Sequence, residues 1–150
     1  VNKTAAIVQG FSGVLAGTYT LSGYLKAVDV VSASHGASFE IVINGVNGIR
    51  IIYPQFVTGT SDTEINNGFI YLQKTFTLQE GETLNRITAG LYNASGTVYI
   101  DSLQLEEGET GNPINFISNS GFENVSGTSN IPKKFYSDGY QDSWSYKTYR

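Results

Sequence analysis

From Gly17 onward the chain alternates apolar and polar side chains in short runs, with turn-forming residues between them. Over Gly17 to Ala27, Tyr19, Leu21, Gly23 and Leu25 fall on one face, and Thr18, Thr20, Ser22, Tyr24 and Lys26 on the other. A period of two over this length predicts a half-buried strand. Ser38 to Ile43 repeats the pattern, with Phe39, Ile41 and Ile43 inward. Asn44-Gly45 and Asn47-Gly48 tolerate positive φ, so Ile49 to Tyr53 is predicted to run back as the second arm of a hairpin. Asn66-Asn67-Gly68 opens a strand over 69–78 that buries Leu72, Phe76 and Leu78, with Lys74 in conflict at the same parity. Over 84–92, Ile87, Ala89 and Leu91 oppose Arg86, Thr88 and Tyr92. The Asn93-Ala94-Ser95-Gly96 stretch reads as a tight turn into a last strand over 97–105.

No stretch carries a capped helical period. The nearest candidate, Thr4 to Leu15, is interrupted by Gly10 and Gly13. Many short strands with frequent turns predict an all-β fold, an antiparallel jelly-roll β-sandwich. A hydrophobic content of 40% against 15% charge supports a packed core and argues against disorder.

Charge narrows the partners. A formal charge of −4 with nine scattered Lys and Arg lacks the basic stripe that phosphate backbones require, so no nucleic acid partner is expected. No apolar run reaches transmembrane length, so no membrane insertion is expected. The chain has no cysteine, which removes disulfides and thiolate metal sites. It also has no methionine and starts at Val1, and it reads as a piece of a longer precursor.

Residues 106–113 are acidic, punctuated by Gly and Pro, and free of apolar side chains. They read as a strand exit or surface linker, with Glu106, Glu107 and Glu109 as a solvated acidic turn. Residues 1–110 therefore form one module, 111–116 a linker, and 117–150 a segment of different character that holds the sole tryptophan, Trp144.

Three segments together resemble carbohydrate-binding-module-like jelly rolls of the galactose-binding-like superfamily. They are TYTLSGYLKA at 18–27, ASGTVYIDSLQLEEGET at 94–110, and NSGFEN at 119–124 with Trp144 downstream. Such modules occur in tandem in large bacterial wall-associated proteins. The resemblance implies an extracellular or cell-surface, cell-wall-associated location, neighbouring modules of the same protein as partners, and a core position for Trp144. Two departures stand out. Ser102 occupies a position where the family often has a second Asp, and the opening N-S-G-F-E lies at the end of the chain instead of its start. Residues 1–110 then lack their own opening strand. Residues 117–124 are expected to supply it within the chain, or in a neighbour as a strand-swapped homodimer.

The resemblance further implies a structural calcium between Asp101 and Glu123, since related modules often hold the ion between the closing-strand Asp and the opening-strand Glu. Otherwise both are solvated edge carboxylates. It also points to sugar binding. Aromatic rings stack on CH-rich sugar faces, and planar polar groups orient the hydroxyls. By parity Tyr24, Tyr71 and Tyr92 face away from the core, with Gln73, Arg86, Glu40 and Arg50 also outward. Tyr24, Tyr71, Gln73, Arg86 and Tyr92 form the candidate ligand surface, and cross-strand packing is the other account of the same tyrosines.

No catalytic residue is expected. His35, the sole histidine, sits in a Ser-Ala-Ser-His-Gly-Ala stretch that reads as a loop, and no nucleophile motif accompanies it. The expected function is a non-catalytic carbohydrate-binding accessory module whose partner is a polysaccharide or cell-surface glycan. The alternative is an architectural spacer or protein-interaction module with no small-molecule ligand.

Overall fold

A computed structural model describes residues 3–108, 117 and 136–138. The topology is all-β and antiparallel, one hydrogen-bonded sheet of six strands. In chain order they are β1 (Lys3–Gly10), β2 (Gly17–Gly45), β3 (Gly48–Ile52), β4 (Ile70–Leu78), β5 (Thr83–Glu107) and β6 (Tyr136–Asp138).

The scaffold is a long ribbon of three lanes. β2, 29 residues long, is the central lane. β5 runs antiparallel along one side of it, from Asn44↔Thr83 to Tyr19↔Glu107. Residues 48–78 follow the other side in sequence. β3 pairs with the end of β2, Val57 bridges Ala37, Gly59 bridges Val30, Ser61 N–H donates to Ala27 O, and β4 pairs with the start of β2. β1 then joins β5, from Ala5↔Leu91 to Gly10↔Arg86, and β6 joins β1.

The ribbon doubles over on itself. A side chain at Gly23 would meet the Phe39 ring at 2.9 Å and Leu103 Cδ1 at 3.2 Å. Gly23 and Phe39 lie on the same strand, and in a straight strand the residues between them would hold the two about 53 Å apart. The bend falls between the register shifts at Val28/Val31 and Ser32/Gly36. Asp29 (φ 52) and Asn93 (φ 47) occupy the left-handed region there. A Cβ on Gly96 would lie 2.5 Å from Asp29 O, so this crossing of the lanes requires glycine. Folding brings the odd-numbered faces of the two halves of β2 together. Leu21, Leu25 and Ala27 share one core with Phe39, Ile41 and Ile43, joined by Ile87 and Ala89 and by Leu103 and Leu105 of β5.

Four sequence readings change at this point. The 93–96 stretch, expected as a tight turn, bends β5 instead of reversing the chain, with Asn93 in the left-handed region at φ 47. The His35 stretch is not a loop; it lies inside β2. Glu106 is not a solvated linker residue. It pairs with Thr20 within β5 and is 2% exposed, with Gln104 Nε2 donating to its Oε2 at 3.4 Å. Residues 3–10, set aside as an interrupted helix candidate, form β1. Residues 118–124, the expected opening strand, and Trp144 lie outside the described residues. Ile117 is buried against the core.

The Lys74 conflict resolves at an edge. Among the described residues β4 pairs only with β2, so Lys74 reaches solvent while Leu72, Phe76 and Leu78 stay buried. A charge among the inward positions of an edge strand discourages further strand pairing. Across the β2–β4 ladder, the hydroxyls of Thr18 and Thr77 lie 3.2 Å apart and those of Thr20 and Thr75 2.9 Å apart.

The hairpin of β2 and β3 is tied to the β4–β5 turn by one ion pair. Arg50 Nη2 donates to Glu82 Oε1 at 2.8 Å and Nε donates to Oε2 at 3.2 Å, while Gln79 N–H also donates to Oε1. The Arg50 hydrogen bond, and then the backbone donor, hold the Glu82 carboxyl below its ordinary value. The folded protein therefore binds this proton less tightly than the unfolded chain does. The contribution to stability is present above the unfolded carboxylate pKa, about 4.3, and is lost as pH falls through the depressed folded value. Glu82→Gln is expected to flatten the acid limb of a stability–pH curve. A Glu82 carboxyl NMR midpoint at or above the ordinary value contradicts this.

Candidate functional site

The face of the β5 end that looks away from the core carries Arg86, Thr88, Gly90 and Tyr92, and the structure builds a cleft of about 180 Å³ over it. Its lining comes from every neighbouring lane. β1 contributes Thr4 and Ala6, β2 contributes His35 and Glu40, the segment after β3 contributes Tyr53, and Arg86, Thr88, Tyr92 and Asn93 come from β5. Strand register explains the assembly. Glu40 lies directly opposite Thr88, Gly36 opposite Tyr92, and Val8 opposite Thr88 on the other side.

The centre of the cleft is a carboxylate held by hydroxyls. Tyr53 O–H donates to Glu40 Oε2 at 2.6 Å, and Thr88 Oγ1 donates to Oε1 at 3.1 Å. Thr88 is also hydrogen-bonded to the Tyr92 hydroxyl. Since the Thr88 proton goes to Glu40, Tyr92 donates to Thr88, and the chain Tyr92–Thr88–Glu40 polarises in one direction. Thr88 and Tyr92 are buried, at 1% and 4% exposure, so this network forms a fixed floor. Carboxylate lone pairs remain for another donor.

Aromatic rings surround it, edge against face. Tyr53 and Tyr92 have centroids 5.5 Å apart at 71°, and Tyr53 and Phe56 4.8 Å apart at 47°. His35 packs against Phe56 at 4.9 Å, T-shaped, and against Tyr53 at 5.8 Å. At the bend Ser34 Oγ lies 2.7 Å from His35 Nδ1, and Asn93 Nδ2 donates to the same hydroxyl at 2.7 Å. Asn93 N–H donates to Thr4 Oγ1 at 3.3 Å, which joins the bend to β1. Arg86 is half-buried, and Nη1 donates to Asn85 Oδ1 at 3.3 Å, leaving most of its N–H donors unspent.

The arrangement gathers hydrogen-bonding groups beside aromatic rings. An acceptor (Glu40), donors (Arg86, Asn93) and ring faces and edges lie within one small hollow. Burial, then the Glu40 hydrogen bond and negative charge, push the Tyr53 hydroxyl well above its ordinary range. That is the wrong direction for a phenolate nucleophile. Among the described residues lining the cleft, Glu40 is the one carboxylate.

The five residues expected to share a ligand surface divide into two places. Arg86 and Tyr92 line the cleft. Tyr24 and Tyr71 are cross-strand partners on the other arm of the ribbon, rings 5.2 Å apart, with Gln73 exposed one position from Leu72. There they pack against each other, and Tyr71 stays 47% exposed. Arg50, also read as outward, belongs to the Glu82 pair. His35, Tyr53, Thr88 and Asn93 were not foreseen as site residues. The available signal was the concentration of His35, Tyr53 and Phe56 on either side of a hairpin whose register brings them together.

Asp101 is exposed, and its Oδ1 accepts the Ser102 N–H at 2.8 Å, with Ser102 in the left-handed region at φ 52. Glu123 lies outside the described residues, and among those described no group of three or more His, Cys, Asp or Glu is placed to hold a metal ion. No described helix is long and apolar enough to cross a membrane. No protein-family model, curated protein or solved structure matches this chain.

Proposed function

We propose that this chain is a non-catalytic sugar-binding module of a larger extracellular or cell-surface protein, and that the Glu40–Arg86–Tyr92 cleft is its binding site. The observation that carries the reading is the hydroxyl-held Glu40 carboxylate beside Arg86, Asn93 and the Tyr53, Tyr92 and His35 rings. A carboxylate acceptor beside amide and guanidinium donors matches the alternating hydroxyls of a sugar, and tyrosine rings suit its CH-bearing faces. The jelly-roll reading of the fold draws support from the doubled ribbon with its shared core, and from the three motif segments at 18–27, 94–110 and 119–124. The raised Tyr53 hydroxyl and the single carboxylate in the cleft support binding over catalysis.

A spacer with no small ligand is the second reading. It is favoured by the exposed, hydroxyl-paired Thr18 and Thr77 on the β2–β4 ladder, a polar strand surface with no hollow. A glycan-array screen separates the two, with the wild type compared against Arg86→Gln and Tyr71→Ala. The sugar reading expects at least one retained glycan, lost by tenfold or more in Arg86→Gln and unchanged in Tyr71→Ala. Retention by neither cleft nor tyrosine pair leaves the spacer. The same protein is melted with and without a chelator, because calcium at Asp101 and Glu123 rests on the family resemblance. An unmoved melting temperature dismisses the ion.

A further inference from the structure

We infer that the cleft takes one sugar ring, at the end or branch point of a glycan, and does not follow a polysaccharide along its length. This rests on the sugar-binding reading and adds the mode of recognition to it.

Size is the first argument. The volume of the cleft is about 180 Å³. That is the scale of a single pyranose, and it is well below the ~300 Å³ at which clefts begin to enclose drug-sized ligands. The second argument is ring geometry. A chain bound lengthwise needs successive, roughly coplanar aromatic faces on which neighbouring sugars stack. Here the rings that line the cleft stand at steep angles to one another: 71° for Tyr53 and Tyr92, and 58° for His35 and Tyr53. Such rings offer no level track along which a chain of sugars could stack. The third argument is where the polar groups sit. Glu40, Arg86 and Asn93 all line the same small hollow, so their hydrogen bonds converge on one residue of the ligand. The floor is fixed by the Tyr92–Thr88–Glu40 hydrogen-bond chain, in which Thr88 and Tyr92 are buried.

The prediction concerns how affinity depends on ligand length. Galactose, glucose, mannose, xylose and N-acetylglucosamine are titrated into the 150-residue chain while amide NMR signals of Thr88, Tyr92 and Glu40 are followed. Linear oligomers of whichever sugar binds, two to about six units long, are then compared. Single-ring recognition expects the monosaccharide to shift those signals. The oligomers should bind within about threefold of it, and a blocking substituent on the terminal ring should abolish binding. An affinity that climbs about tenfold with each of the first added units overturns the inference while leaving the sugar-binding reading intact. Silence from every monosaccharide together with binding of oligomers does the same. Silence from all sugars overturns both. Arg86→Gln keeps the assignment to this site falsifiable. Among the described residues its side chain makes one hydrogen bond, to its neighbour Asn85, so the fold should survive the change. Undiminished binding in that variant places the sugar elsewhere and defeats the inference.

Discussion

Replacing Phe39 with alanine is expected to remove about 3–5 kcal/mol of folding stability. Phe39 is fully buried, and its ring fills the space above Gly23 where the two halves of β2 face each other. Truncation leaves a cavity at the one place where the doubled ribbon meets itself along a single strand. Neither half can collapse into that cavity without undoing the bend at 28–36. Urea unfolding followed by tyrosine fluorescence gives the midpoint and slope. A loss below about 1 kcal/mol would show that the arms do not depend on this contact. Gly23→Ala supplies the complementary test, because its new methyl would come within 2.9 Å of the Phe39 ring. Alone it should destabilise. Combined with Phe39→Leu it should cost less than the sum, since the shorter side chain makes room. Strict additivity would mean that the two positions do not touch.

Gly90→Ala is the second large effect, and it is local. A Cβ at Gly90 would stand 2.2 Å from Ala5 O and 2.8 Å from Ala6 Cα, both backbone atoms of β1 with no rotamer to adjust. β1 must lift away from β5, at a cost of about 3 kcal/mol. Thr4 and Ala6 form the β1 wall of the cleft, so any ligand bound there should be lost along with the strand. Hydrogen exchange should show the Ile7 and Val8 amides losing protection while the Leu72–Phe76 stretch of β4 keeps it, because β4 pairs with β2 far from this site. A variant as stable as wild type, with β1 still protected, would mean that β1 does not lie so close to β5.

The strands of the core were readable because burial on one face imposes a period of two, and turn residues mark where that period stops. Leu21, Leu25, Phe39, Ile41, Ile43, Leu72, Phe76, Leu78, Ile87 and Ala89 all lie in the core they were assigned to. The 44–48 hairpin pairs Gly45 with Gly48 as expected. A break at 93–96 was equally legible, but left-handed residues serve both reversals and bulges, and local sequence does not distinguish them. β1 was obscured by Ala5, Ala6, Ile7 and Val8, a run apolar on both faces. That pattern suits a strand covered by neighbours on both sides, but periodicity carries no sign of it. Glu106 looked solvated for a related reason: the residues that follow it are polar or glycine, and its burial is set by contacts from elsewhere.

The sequence alone determined an all-β antiparallel chain, the inward residues of most strands, the turns of the hairpin, and the lack of thiol chemistry, because each of these follows from local geometry or residue type. Tertiary structure decided that two long strands bend instead of ending, that Glu40 meets Tyr53 and Thr88, and that Arg86 and Tyr92 share a hollow from which Tyr24 and Tyr71 are excluded. The reason is physical. Alternation tells which side of a sheet a residue occupies, but a site is made by the register between lanes and by where the ribbon folds, and both depend on contacts between residues far apart in the chain.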